Sequence, residues 1–205
     1  MSLTDEQYEG LNNYVNSTPP VINMILTNEN VESLVRWHYP ELVDTYLAFL
    51  TIFENIPPTS EVDILYRGLS YNDNVNDLIF EHNGMISTTP DKYYASKYSN
   101  IDNPQILKII VPPGSHVVNP GDFNVFNPYD DGEEIILLPG YLKPISRELE
   151  EINEIYYNII TCEYTEFPNA VEKAYEIVLN FRTRYWPDYV PEEFIDDKFI
   201  DDNNY

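Results

Sequence analysis

The chain has 205 residues, with 35 acidic against 11 basic side chains and a formal net charge of −24. Its length supports one domain with a sizeable core, and 43% hydrophobic and 14% aromatic residues belong to a folded protein rather than a disordered one. The charge repels phosphate backbones and argues against nucleic acid as a partner, and no apolar run approaches membrane-spanning length. The lone Cys162 excludes an internal disulfide framework and fits a reducing compartment. Residues 1–10 are polar and acidic, which is not the pattern of a secretory leader, so the expected location is cytoplasmic.

Residues 1–57 read as helical. Thr4 with Gln7 predicts a capping box opening the first helix, and Thr18-Pro19-Pro20 predicts a break. Leu42, Val43, Tyr46, Leu47, Leu50 and Phe53 recur at three- and four-residue spacing and predict an amphipathic helix that Pro57-Pro58 ends. From residue 61 the pattern turns to strands. Val62 to Arg67 is the first and Gly84 to Thr89 the second. Pro90, with Thr89 as cap, is expected to start a short helix through Tyr98. Gln105 to Val111 and Ser115 to Val118 follow as strands. After a turn-rich loop, Asn119 to Gly132, come Glu133 to Leu138, Leu142 to Ile145 and Ile155 to Tyr164. Ala170, Val171, Ala174, Tyr175, Val178 and Phe181 predict a second amphipathic helix, and an acidic tail closes the chain. The whole is an α+β arrangement, a helical lobe on a strand-rich core.

Several side chains invite a chemical reading. Cys162 lies within a predicted strand and reads as a core residue, not a nucleophile. His38, His82 and His116 show no metal-ligand spacing, and one cysteine makes no zinc pattern, so no metal is expected. Asp130-Asp131 and Asp196-Asp197 lack the surroundings of a calcium loop. Three segments stand out together. Ile64-Leu65-Tyr66-Arg67-Gly68-Leu69 puts an arginine at a strand end, before a glycine that leaves the backbone open to a ligand. Gly84-Met85-Ile86-Ser87-Thr88-Thr89-Pro90 is a hydroxyl-rich strand followed by Tyr93-Tyr94. Gly132-Glu133-Glu134-Ile135-Ile136-Leu137-Leu138-Pro139-Gly140 puts two carboxylates at the mouth of a short aliphatic strand.

In this order, the segments resemble the Arg–Ser–Glu class of mono-ADP-ribosyltransferases, which includes bacterial toxins of the C3 and binary-toxin type. The resemblance covers residues 60–165, with a helical lobe before it. It implies two facing β-sheets with NAD, the substrate, in the cleft between them, and a protein acceptor for ADP-ribose. It also implies host-intracellular action as an alternative to a cytoplasmic role. On this reading residues 1–186 form one domain: a helical lobe at 1–60, an NAD-binding core at 61–166 and a C-terminal helix at 168–186, with the acidic tail at 187–205.

The resemblance implies a role for each residue. Glu134, which immediately precedes the aliphatic triplet, would accept a hydrogen bond from the 2′-hydroxyl of the nicotinamide ribose. Its charge would then favour the oxocarbenium-like cation formed as nicotinamide leaves. Ser87 would orient Glu134, Thr88 would brace the cleft, and Tyr93 or Tyr94 would stack on the nicotinamide. Arg67 would bind NAD through its planar fork of donors, with Gly68 beside it; a structural ion pair is the alternative. Tyr129, five residues before Glu134, would meet the acceptor, or else is an ordinary turn aromatic.

Gly132 departs from the family pattern, in which the residue two before the catalytic glutamate is Glu or Gln. A bulge at Gly132 would let Glu133 turn inward in its place. The alternative register makes Glu133 catalytic, with Asp131 two residues before it. The departure leaves NAD glycohydrolysis open. A further alternative is a non-catalytic acidic protein on the same fold, docking to a basic partner.

Overall fold

A computed structural model of the chain describes residues 2–16, 21–28, 40–70, 79–125 and 133–189. The expected break at Thr18-Pro19-Pro20, the positions Tyr129, Asp131 and Gly132, His38 and most of the acidic tail lie outside these residues.

Among the described residues three helices come first: α1 (Asp5–Val15), α2 (Val21–Thr27) and α3 (Pro40–Asn55). The capping box forms as expected, with the Gln7 amide N–H donating to Thr4 Oγ1 at 3.2 Å and the Thr4 N–H donating to Gln7 Oε1 at 3.0 Å. Asp5 and Glu6 in the first turn complement the helix dipole. α1 and α3 cross at Gly10, where an added Cβ would lie 1.9 Å from the Thr45 carbonyl oxygen. Only a residue without a side chain allows that approach. α3 buries Val43, Tyr46, Leu47, Leu50 and Phe53 as its spacing predicts, and Phe49 and Ile52 besides, because other elements cover a second side of it.

The described strands form two sheets. The larger runs in the order β1 (Asp63–Gly68), β4 (Gln105–Val111), β8 (Ile155–Glu166), β7 (Gly140–Ile152) and β2 (Phe80–His82). Its pairs are antiparallel apart from β4 with β8, which is parallel. The smaller sheet runs β3 (Ile86–Thr88), β6 (Ile135–Leu137), β5 (Val117–Val118), all antiparallel. A short helix, α4 (Lys92–Ser96), follows β3, and α5 (Ala170–Tyr185) follows β8.

Alternation along β6 sorts the core into layers. Ile136 and Leu138 face the helices and pack with Tyr14, Phe49, Phe53, Val178 and Phe181. Leu137 faces the other way, between the sheets, with Leu65, Ile86, Leu107, Ile109 and Ile160. A third layer, of Ala95, Ile106, Ile152, Tyr157 and Ile159, puts α4 on the outer face of the larger sheet. Cys162 is fully buried, as expected. α5 is tied to α3 by Arg182, whose Nε lies 2.6 Å from Asp44 Oδ1.

The structure corrects some of the expected elements. β7 runs 13 residues, far beyond Leu142 to Ile145, because its outer half pairs with β8 in a long hairpin whose exposed charged residues hide the alternation. That hairpin turns at Asn153 and Glu154, both at positive φ (50° and 66°). β2 went unpredicted, being only three residues long with no buried position. The smaller-sheet strands are shorter than expected, with Ser115, Glu133 and Glu134 outside them. The cap of α4 is Asp91, whose carboxylate accepts from the Tyr93 N–H, and not Thr89.

Candidate active site

Thr89 forms a bridge between the two sheets instead. Its N–H donates to the Tyr66 carbonyl at 2.9 Å and its carbonyl accepts from the Tyr66 N–H at 2.7 Å. The bridge sets β1 and β3 side by side, so Arg67 and Ser87 become neighbours although they are 20 residues apart in sequence. Arg67 shares the inward face of β1 with Leu65, and its Nη1 donates to the Ser87 carbonyl at 3.0 Å. The other guanidinium nitrogens retain donor capacity. Thr88, next along β3, is buried, and its hydroxyl donates to the Ile135 carbonyl at 2.7 Å, stapling β3 to β6.

In the antiparallel pairing Ser87 stands opposite Ile136 and Thr88 opposite Ile135. Ser87 therefore shares the helix-facing side with Ile136, and Glu134, just before the strand, lies close enough to α1 for its charge to act on Tyr14. Glu134 is half-buried. Glu133 is exposed, and its Oε1 accepts from Asn119 Nδ2 at 2.8 Å. The inward turn that a bulge would have allowed Glu133 does not occur.

A fourth group, overlooked in the sequence, joins from α1. Tyr14 is buried, and its hydroxyl lies 2.8 Å from Ser87 Oγ. Burial drives the Tyr14 phenol well above the ordinary tyrosine range; the Glu134 charge adds to the rise, while Ser87 and Arg67 oppose it. Asn23 on α2 brackets the start of β3, with Nδ2 donating to the Met85 carbonyl at 3.0 Å and Oδ1 accepting from the Met85 N–H at 2.7 Å. Tyr14 reads as one more apolar position of α1 beside Leu11, which conceals its hydroxyl. Asn23 carried a signal, a lone amide in the apolar run Val21 to Leu26.

Gly68 has a different reason from the one its sequence position suggests. A Cβ there would lie 2.2 Å from the Ala95 carbonyl oxygen and 2.8 Å from the Ser99 nitrogen, so the space beside this backbone is filled by α4 and the turn after it. On α4, Tyr93 is 59% exposed, while Tyr94 is half-buried with its hydroxyl 2.9 Å from that of Tyr98. The structure thus gathers Arg67, Ser87, Glu134 and Tyr14, puts Thr88 behind them and leaves Tyr93 on the surface. A separate depression of about 330 Å³, between α2, β7 and α5, is lined by Leu26, Tyr141, Phe167 and Lys173 and contains none of these residues.

No family profile and no curated protein sequence matches the chain. Solved structures do. Plx2a, an ADP-ribosyltransferase toxin from Paenibacillus larvae, is 13% identical and superposes over 80% of this chain and 88% of its own at a TM-score of 0.60. The chain has the ADP-ribosyltransferase fold. C3stau2 from S. aureus, solved with NAD, is 17% identical over 80% of this chain and 88% of its own, with a TM-score of 0.59. The Clostridium limosum C3 exoenzyme is 16% identical, with coverages of 80% and 87% and a TM-score of 0.57. The ADP-ribosyltransferase fold accounts for the two sheets, the helices before them and the C-terminal helix as one arrangement, at identities too low for the sequences to match on their own.

Proposed function

We propose that the protein is an NAD-dependent mono-ADP-ribosyltransferase that passes ADP-ribose to a protein acceptor. The observation that carries this reading is the convergence of Arg67 on β1, Ser87 on β3 and Glu134, immediately before β6, on an ADP-ribosyltransferase fold. In the proposed reaction the bond between ribose C1′ and the nicotinamide nitrogen breaks, and its electron pair leaves with neutral nicotinamide. The acceptor's nucleophile bonds to C1′ and gives up its proton. Glu134 holds the ribose 2′-hydroxyl and offsets the cationic charge that develops on the sugar. Arg67 supplies a local cation for the NAD diphosphate in a chain whose overall charge of −24 repels it. Positioning and electrostatics do the work.

Three further proposals go with this reading. Tyr93 or Tyr94 meets the nicotinamide, from its place on α4 beside β1. The stretch around Tyr129, Gly132 and Glu133 meets the acceptor; the support is the exposure of Glu133. Action in a reducing compartment, host-intracellular or cytoplasmic, goes with the single thiol. Among the described residues no helix is long and apolar enough to cross a membrane.

The test is incubation of the purified protein with labelled NAD and a cell lysate, following nicotinamide release and label on macromolecules, beside Glu134→Gln. The expected result is label on protein that disappears in the variant, with nicotinamide release down about 100-fold or more. Nicotinamide release without label points to water as acceptor. Full release by Glu134→Gln would sink the site assignment, and no release by either protein would leave a non-catalytic binding role.

A further inference from the structure

Among the described residues, two polar side chains of the helical lobe reach the site, and both act on the β3 segment. Asn23 makes the two backbone hydrogen bonds at Met85 that a neighbouring strand would otherwise make. Tyr14 meets the Ser87 hydroxyl at 2.8 Å. Ser87 is therefore held at both ends, its carbonyl by Arg67 and its hydroxyl by Tyr14. We propose that Tyr14 is a positioning residue for NAD cleavage: its phenol donates to Ser87 Oγ and so directs the Ser87 proton toward the Glu134 carboxylate.

The direction of the hydrogen bond follows from acidity. A phenol is a better donor than an aliphatic alcohol. A serine that accepts from it has its one proton left to give, and the carboxylate nearby is that of Glu134, just before the strand that pairs with β3 and close enough for its charge to act on Tyr14. Burial keeps the phenol protonated at any working pH, so the donor is permanent. Hydrogen bonds in such a series polarise one another, which strengthens the last one, to the carboxylate. The ring itself has a separate job, stacking on Phe49 with centroids 5.3 Å apart in the helical core. Removing the hydroxyl alone leaves that packing in place.

This inference rests on the proposed function, and the experiment separates the two. Nicotinamide release from NAD is measured across pH for the wild type, Tyr14→Phe, Ser87→Ala and the double variant, with the melting temperature of each. In Tyr14→Phe we expect kcat to fall about ten- to hundredfold, KM for NAD to stay within about threefold and melting to shift by only a few degrees. The acid limb of kcat should move to higher pH, because a carboxylate that loses support for its charged form takes up a proton more readily. The double variant should be no slower than Ser87→Ala, since the two residues act in series.

A Tyr14→Phe enzyme with unchanged kcat and acid limb, or losses that multiply in the double variant, would overturn the proposal while leaving the enzymatic reading intact. Wild-type protein that releases no nicotinamide overturns both. Should Tyr14→Phe not fold, site-specific fluorotyrosine at position 14 keeps the shape and makes a stronger donor. The acid limb should then move to lower pH, and an unmoved limb would overturn the proposal.

Discussion

Arg67 Nη1 donates to the backbone carbonyl of Ser87 at 3.0 Å, so the local cation and the hydroxyl-bearing residue of the site are tied directly to each other. A planar fork holds that carbonyl through one nitrogen and offers its other donors to a ligand in fixed geometry. Lysine keeps the charge at a single point. Arg67→Lys should therefore raise KM for NAD by about tenfold or more, corresponding to about 1.5–3 kcal/mol for a lost charge-assisted hydrogen bond. Initial-rate kinetics with direct NAD titration by calorimetry check this. Unaltered NAD affinity in Arg67→Lys would mean that the arginine only braces Ser87.

Gly10 governs how closely α1 approaches α3. A Cβ there would lie 1.9 Å from the Thr45 carbonyl oxygen and 2.9 Å from Phe49 Cβ, and backbone cannot rotate away. Gly10→Ala gains about 1 kcal/mol of helix propensity. It costs more than that in overpacking, typically about 1–3 kcal/mol and here at the upper end. The melting temperature should fall by about 2–8 °C, measured by thermal unfolding. Because Tyr14 sits one turn further along α1, displacement of the helix should also slow NAD cleavage. A rise in melting temperature would show that the two helices separate at little cost.

Alkali should unfold the protein through groups that hold their protons tightly when buried. Burial pushes the Cys162 thiol from its ordinary 9.0 up to about 11, with Arg147 opposing the rise, and drives the Tyr14 and Tyr164 phenols above the tyrosine range. A folded-state pKa above the unfolded one means stability that is present below the unfolded value and lost as pH rises. For Cys162 that window runs from 9.0 to about 11. Its contribution is on the order of 2–3 kcal/mol, because each tenfold gain in proton affinity is worth about 1.4 kcal/mol. Urea midpoints measured from pH 7 to 11 should hold to about pH 9 and then fall, less steeply in Cys162→Ala. A maleimide at neutral pH should label Cys162 only after unfolding.

Much of the frame can be read from the chain because it is encoded locally. The Thr4–Gln7 capping box, the α3 stripe and α5 each depend on residues within a few positions of one another. The same holds for the order of the arginine, hydroxyl and glutamate segments. The outer half of β7 is not legible, since its partner strand and not its own pattern makes it a strand.

Two adjacent carboxylates before an aliphatic triplet are plain in the sequence, and that much the sequence determines. Which of the two carboxylates meets the helical lobe is a property of packing: Ile136 and Leu138 go to the helical core and Leu137 to the space between the sheets, while Glu134 is half-buried near Tyr14 and Glu133 exposed. The Tyr66–Thr89 bridge, which brings Arg67 to Ser87, depends on two segments more than 20 residues apart pairing through backbone that carries no sequence signature. Gly68 shows the same limit, since its missing side chain makes room for α4 and nothing nearby in sequence tells α4 from a ligand. The Tyr14 hydroxyl is the sharpest case. A tyrosine in an amphipathic helix is core by pattern, and only the fold puts its one polar atom against Ser87.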